Sequence, residues 1–207
     1  MLINNRKVYG SLNSPATLRV LACVFEHDLD FEFVPIDLNA GEHKNKQFLS
    51  MNPFGQVPVY EDGDIKQFEE RAITTYIAEN FKETGYDLIS YQDQKKATLV
   101  KVWVKMESQQ YNPVIKPVIY QHFVMPLMGK SSDQTITDAS IEKVRNVLDV
   151  YEAKLSSTKY LAGDFYSLAD LHHLSYTYQR PHVKAWWDFS SRPAFKKLTE
   201  AMIFGGK

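Results

Sequence analysis

Cysteine is all but missing from this sequence. Cys23 stands alone among 207 residues, so no disulfide can form within the chain, and a reducing, cytoplasmic setting is the expectation. Long apolar runs are missing as well. The uncharged stretch Val20–Phe25 is far short of the roughly 20 residues that span a bilayer, and Met1–Arg6 holds no apolar run of signal-peptide length. Neither a membrane span nor a membrane partner is expected. An excess of one charge is also absent: 24 Lys and Arg stand against 25 Asp and Glu, a net charge of −1 that gathers no polyanion and argues against a nucleic-acid partner. Glycine and proline, nine each, are too sparse for a fibrous or disordered chain, and no repeat or low-complexity tract is visible. What remains is a 44% hydrophobic chain, long enough to build a sizeable core as one large domain or two modest ones.

The chain changes character near its middle. Arg6–Gly10 reads as a strand and Ser11–Pro15 as a polar loop, after which Leu18, Leu21, Val24 and Phe25 fall at helical spacing. Phe31–Ile36 alternates as a second strand, and Pro35, which cannot donate to a ladder, puts it at a sheet edge. Val57–Tyr60 and Ile65–Phe68 flank Glu61-Asp62-Gly63-Asp64, whose Asp-Gly pair supplies the positive φ angles of a tight hairpin. Glu69–Asn80 then reads as a helix with an acidic first turn, which suits the helix dipole. The first 80 residues thus read βαβ-ββα. After the polar stretch Lys82–Asp87, helical periodicity takes over, in Asp93–Gln110, in Thr135–Leu155 and from Ser167 onward. Ser167-Leu168-Ala169-Asp170 has the hydroxyl and acid of a capping box.

The segment Asn52-Pro53-Phe54-Gly55-Gln56-Val57-Pro58, followed by the hairpin and by Phe68-Glu69-Glu70-Arg71-Ala72-Ile73, resembles the glutathione-binding core of the plant phi-class glutathione transferases. Val8-Tyr9-Gly10 with Ser14 and Arg19-Val20, then Gly41-Glu42-His43-Lys44, Val147–Glu152 and Tyr160-Leu161-Ala162-Gly163-Asp164, fall in that family's order and spacing, so the likeness covers nearly the whole chain. It implies an α/β thioredoxin-like N-terminal domain over residues 1–81 and an all-α C-terminal domain over 92–207 that carries an electrophile site. It further implies a cytoplasmic homodimer, and conjugation of the glutathione thiol to small hydrophobic electrophiles, with no metal.

That chemistry needs a thiolate from a thiol whose free pKa is near 8.5, and each unit of lowering takes about 1.4 kcal/mol. A hydroxyl donor at a helix N-terminus can supply it. By the resemblance Ser14 is that donor; by local chemistry it is equally a helix cap before Pro15, with Ser11 and Asn13 as neighbours able to take either role. The resemblance further implies that Val57, in a turn with a cis peptide before Pro58, pairs with the cysteinyl backbone of glutathione beside Gln56. His43 and Lys44 would hold its glycyl carboxylate and Glu69 its γ-glutamyl ammonium. Read without the family, Pro58 is a trans strand-start proline and His43-Lys44 a solvated loop.

Glu70 departs from the pattern, because the family has Ser where this chain has a second carboxylate. Two like charges about 4 Å apart repel by roughly 1 kcal/mol in water and about 4 at an effective dielectric near 20, enough to weaken glutathione binding one to three decades. Alternatively the side chain turns outward and leaves only its backbone amide in the site. A second departure follows Leu174, where only Ser175–Gln179 precede Arg180-Pro181, about a dozen residues fewer than is usual in the class. By the resemblance Leu12, Tyr120 and Val124 would line the electrophile pocket; read without the family, each serves as well as core. Cys23, nine residues beyond Ser14 and so roughly 13 Å along a helix axis, reads as a buried thiol. Adjacent residues on a helix face apart, so His172 and His173 are not a metal pair, and Trp186-Trp187 reads as an anchor for the C-terminal helices. Two other functions suit the same fold: a non-catalytic carrier, which Glu70 would favour, and a repurposed enzyme of specialised metabolism, which the short segment after Leu174 would favour.

Overall fold

The computed structural model describes residues 6–127, 129–173, 192–194 and 196–197. Arg180-Pro181 and Trp186-Trp187, like the shortened segment after Leu174, lie outside these residues. The chain forms two compact units. One holds the described residues up to Gln92 together with residues 192–194 and 196–197; the other begins at Asp93.

In the first unit β1 (Arg6–Gly10), α1 (Pro15–Glu26) and β2 (Glu32–Pro35) form a βαβ unit, with β2 parallel to β1 at the edge that Pro35 demands. A 3-10 turn (Glu42–Lys44) and the single-turn α2 (Lys46–Leu49) lead to the hairpin of β3 (Val59–Asp62) and β4 (Ile65–Phe68), both antiparallel, giving the order β2-β1-β3-β4. The hairpin closes over Gly63 and Asp64. Only Gly63 takes a positive φ, 60°, while Asp62 stays in the strand, so one residue rather than the Asp-Gly pair supplies the unusual conformation. α3 (Glu70–Asn80) packs on α1, burying Val20, Leu21, Val24, Ile73 and Ile77, each worth about 1.5–3 kcal/mol when removed from water. Cys23 is fully buried in this interface, its thiol donating to the Thr74 carbonyl at 3.6 Å, and burial, with Glu26 second, pushes its pKa well up. At the far end of α1, Glu26 accepts two bonds from Arg192, at 2.6 and 2.7 Å, which tie the late residues to this unit.

The described elements of the second unit are helices, joined by loops and one isolated bridge between Tyr160 and Gly163. α4 (Gln94–Met106), α5 (Asn112–Ile119) and α6 (Met125–Leu127) follow one another without a non-helical break, joined by π-helical turns at Glu107–Tyr111 and Tyr120–Val124. No helix is expected from the sequence over residues 112–127, where Pro113, Pro117 and Pro126 interrupt the pattern. The π turns account for two of these prolines. A proline ring collides with the carbonyl four residues back, and those carbonyls, Gln109 and His122, lie inside the widened turns. α7 (Gln134–Leu155) packs on α5, and its buried Tyr151 stacks on Tyr111 with ring centroids 5.9 Å apart. The Tyr151 hydroxyl meets His173 Nε2 at 2.9 Å, and His173 Nδ1 meets the Ala169 carbonyl at 2.6 Å. His173 is thereby held by structure. The expected capping box opens α8 (Leu168–Leu171): the buried Asp170 carboxylate accepts from Ser167 N, Ser167 Oγ and Leu161 N at 2.9–3.0 Å.

Candidate functional site

Strand register decides which loops meet. Tyr9 pairs with Val59, and Val59 with Phe68, so the loop after β1, the turn before β3 and the junction after β4 all leave the same end of the sheet. Ser14, Val57 and Glu69 stand on those three segments, far apart in sequence and gathered by two ladders.

The loop after β1 is knotted by its own polar groups. Ser14 N donates to Ser11 O at 2.9 Å, Asn13 N to Ser11 Oγ at 3.4 Å, and Ser11 N to Thr17 Oγ1 at 3.3 Å. Ser14 is the N-cap of α1, with extended φ and ψ, and its Oγ accepts from Thr17 N at 3.4 Å ahead of Pro15. Both readings of Ser14 are compatible, because a hydroxyl that accepts in the cap still has its proton to donate. Ser11 is occupied with the loop itself. Thr17, which the sequence reading passes over, is fully buried; at Gly10 a β-carbon would stand 2.7 Å from its Oγ1, so only glycine lets the strand lie this close to the clasp.

The Val57–Pro58 peptide is cis, as the family likeness implies, and Val57 precedes the ladder, which begins at Val59. Asn52 shapes this turn: its Nδ2 donates to Gln56 O at 2.7 Å, and its Oδ1 accepts from Phe54 N at 3.0 Å. The Asn-Pro pair at 52–53 is a turn signal that points to this role. Gln56 and Phe54 are exposed. Gly55, at φ 58°, lies so close to the 3-10 turn that a β-carbon would come within 2.7 Å of the His43 carbonyl.

Lys44 faces this loop. Its Nζ donates to Phe54 O at 3.1 Å and Gly55 O at 2.7 Å, bracing the turn and leaving a third proton for a ligand. His43 Nδ1 is buried with no hydrogen-bond partner among the described residues. Burial and, second, the neighbouring Lys44 hold its pKa below the usual 6.5. The imidazole is therefore neutral at pH 7 and presents an unanswered polar atom.

Glu69 occupies the N-cap of α3 at φ 72° and ψ 105°, a conformation that costs a non-glycine residue of order 1–3 kcal/mol. Its side chain caps nothing and is exposed. The Glu70 side chain does not turn outward. Its Oε1 accepts from Arg71 Nη1 at 2.6 Å and from Arg19 Nη1, on α1, at 3.2 Å, with side-chain exposures of 13% for Glu70 and 4% for Arg19. It turns inward and is neutralised, because a guanidinium buried between α1 and α3 requires a carboxylate.

Leu12, partly buried, sits in the loop after β1; Tyr120, 44% exposed, and Val124, partly buried, sit on the second π turn of the other unit. No group of three or more possible metal ligands occurs among the described residues.

The chain matches the family model "Glutathione S-transferase, N-terminal domain" over residues 5–79 and "Glutathione S-transferase, C-terminal domain" over 115–203. It is 47% identical to glutathione S-transferase F13 of Arabidopsis thaliana, with 95% of each chain covered. Among solved structures it resembles glutathione transferase F7 from Populus trichocarpa, at 60% identity, TM-score 0.92, and coverage of 95% of this chain and 99% of that one. It also resembles glutathione S-transferase I from mais in complex with an atrazine glutathione conjugate, at 39% identity, TM-score 0.85, and coverage of 96% and 98%. With a thioredoxin-like sheet, a cis turn before β3 and likeness of this extent, the chain belongs to the glutathione S-transferase family, in its plant phi class, and is a transferase with glutathione as co-substrate.

Proposed function

We propose that glutathione lies across the end of the sheet where the Ser14, Val57 and Glu69 segments leave, with the thiol at Ser14. The shared register row of Tyr9, Val59 and Phe68 carries this reading, since it gathers those three segments. Ser14 Oγ donates its free proton to the sulfur beside the positive end of α1, and a charge-assisted hydrogen bond of this kind contributes about 1.5–3 kcal/mol, one to two units of thiol pKa. Val57 offers an amide and a carbonyl outside the ladder to the cysteinyl backbone, with Gln56 alongside. Glu69 takes the γ-glutamyl ammonium. The carboxylate of the same residue meets the amides at the start of α3, which no side chain caps. Neutral His43 and the third proton of Lys44 hold the glycyl carboxylate.

The thiolate sulfur then forms a C–S bond to an electrophilic carbon, whose leaving group departs as an anion with the bonding pair; the thiol proton has already passed to solvent. Leu12 on the first unit, and Tyr120 and Val124 on the second, are the apolar side chains by which the family likeness has the enzyme select small hydrophobic electrophiles. In this reading the glutathione-binding domain spans residues 1–81 and the all-helical electrophile domain residues 92–207, and the enzyme acts in the cytoplasm as a homodimer. The carrier reading loses the feature that favoured it, because Glu70 is paired within the fold.

Calorimetric titration with glutathione tests this directly. A dissociation constant below a millimolar is expected; no heat of binding at several millimolar would remove the site as drawn.

A further inference from the structure

Glu70 raises a question of charge that Arg19 answers. The γ-glutamyl carboxylate of glutathione, as placed above, approaches the first turn of α3, where this chain carries a carboxylate instead of a hydroxyl. Left in that turn with only Arg71 for company, the Glu70 carboxylate would be free to swing toward the tripeptide. It is instead drawn down between α1 and α3, where Arg19, almost wholly buried, meets Oε1 at 3.2 Å while Arg71 meets the same oxygen at 2.6 Å. Arg19 lies on α1, the helix that Ser14 caps, one and a half turns from that residue. The ion pair thus fastens the helix holding the thiolate donor to the helix that begins at the γ-glutamyl end.

We propose that Arg19 is a positioning and specificity-determining residue: by holding the Glu70 side chain inside the fold, it makes a γ-glutamyl site with an acidic first turn able to accept glutathione. The proposal rests on the reading that glutathione binds at this end of the sheet. In this role Arg19 touches no substrate and acts through Glu70, so its effect on binding depends on Glu70 being present.

That dependence supplies the test. Glutathione dissociation constants are measured by calorimetry for the wild-type enzyme, Arg19→Met, Glu70→Ser and the double variant, with thermal melting of each. Arg19→Met releases the carboxylate and weakens glutathione roughly tenfold, the lower end of what one unscreened like charge does. Adding Glu70→Ser to Arg19→Met restores affinity to within about threefold of wild type, a rescue that a purely structural role of Arg19 would not give. In the wild-type background Glu70→Ser tightens binding by threefold at most. Unchanged affinity in Arg19→Met, or a loss that Glu70→Ser does not repair, would overturn the proposal. If Arg19→Met does not fold, Glu70→Ser alone decides: tightening of tenfold or more means the carboxylate already faces the tripeptide, and the latch is refuted. Failure of the wild-type protein to bind glutathione is a different result, and removes the site itself.

Discussion

Two helices of the first unit begin at the same end of the sheet, and they begin in opposite ways. α1 starts from a satisfied cap: Ser14 accepts from Thr17 N, proline fills the first helical position, and the preceding loop is tied to Thr17. α3 starts from a strained one, with Glu69 at φ 72° and no side chain on its amides. A local explanation is complete for the first and fails for the second. Residues held in a rare backbone conformation without a structural return are where ligand binding is expected to supply the return. On the proposed reading, the glutathione site joins a finished helix end, which lends one proton, to an unfinished one, which lends its amides.

Removing the proton donor should have the largest effect. Ser14→Ala deletes cap and donor together, and conjugation kcat/KM at pH 7 should fall by about 10- to 30-fold, since a thiol returned to a pKa near 8.5 is only about 3% ionised there. The apparent pKa of the bound thiol should rise toward its free value near 8.5, so that much of the activity returns at pH 9. Stability should drop by about 1 kcal/mol from the lost cap. Ser14→Thr, which keeps both functions, should retain most activity. A variant Ser14→Ala with lower stability but an unmoved pH profile would leave Ser14 as a cap alone.

At α3 the two effects should oppose each other. Glu69→Gly relieves the positive φ and should raise stability by up to about 1 kcal/mol, while losing the ammonium partner weakens glutathione by about tenfold. Melting and calorimetry on one preparation check both signs. If Glu69→Gly melts lower, or binds glutathione as before, the strain has another origin.

Much of this arrangement is legible in local sequence. Pro35 marks an edge, Gly63 a two-residue turn, and Ser167 with Asp170 a helix start, because each acts on neighbours within a few residues. What escapes is long-range or collective. Arg19 and Glu70 are 51 residues apart, and nothing near either one announces the pair. The brace from Lys44 to Phe54 and Gly55 depends on two loops packing together. Helix α5 is hidden by its prolines, of which a π turn accommodates Pro113, a backbone adjustment without a periodic signature. Asn52 is an intermediate case: its Asn-Pro context suggests a turn, yet its grip on Gln56 emerges only in the fold.

The smallest effect should come from the third wall of the site, and it separates ligand charge from helix geometry. His43 has a pKa lowered by burial and by Lys44. In the free enzyme its contribution to stability is fully present above pH 6.5, the unfolded value, and is lost as pH falls through the lowered folded value. A bound glycyl carboxylate acts in the other direction, since a negative neighbour favours the imidazolium and raises the pKa again. Ligand binding should therefore take up protons on the acid side of neutrality. S-methylglutathione, which has no thiol to ionise, should bind about two- to threefold more tightly at pH 5.5 than at pH 7.5, and His43→Gln should flatten that slope while preserving a hydrogen-bond donor. Because Ser14 has no thiol proton to influence in this ligand, the measured slope reports the glycyl end alone. A slope that survives in His43→Gln would place the titrating group elsewhere and detach the 3-10 turn from the site, leaving the two helix starts to hold the tripeptide between them.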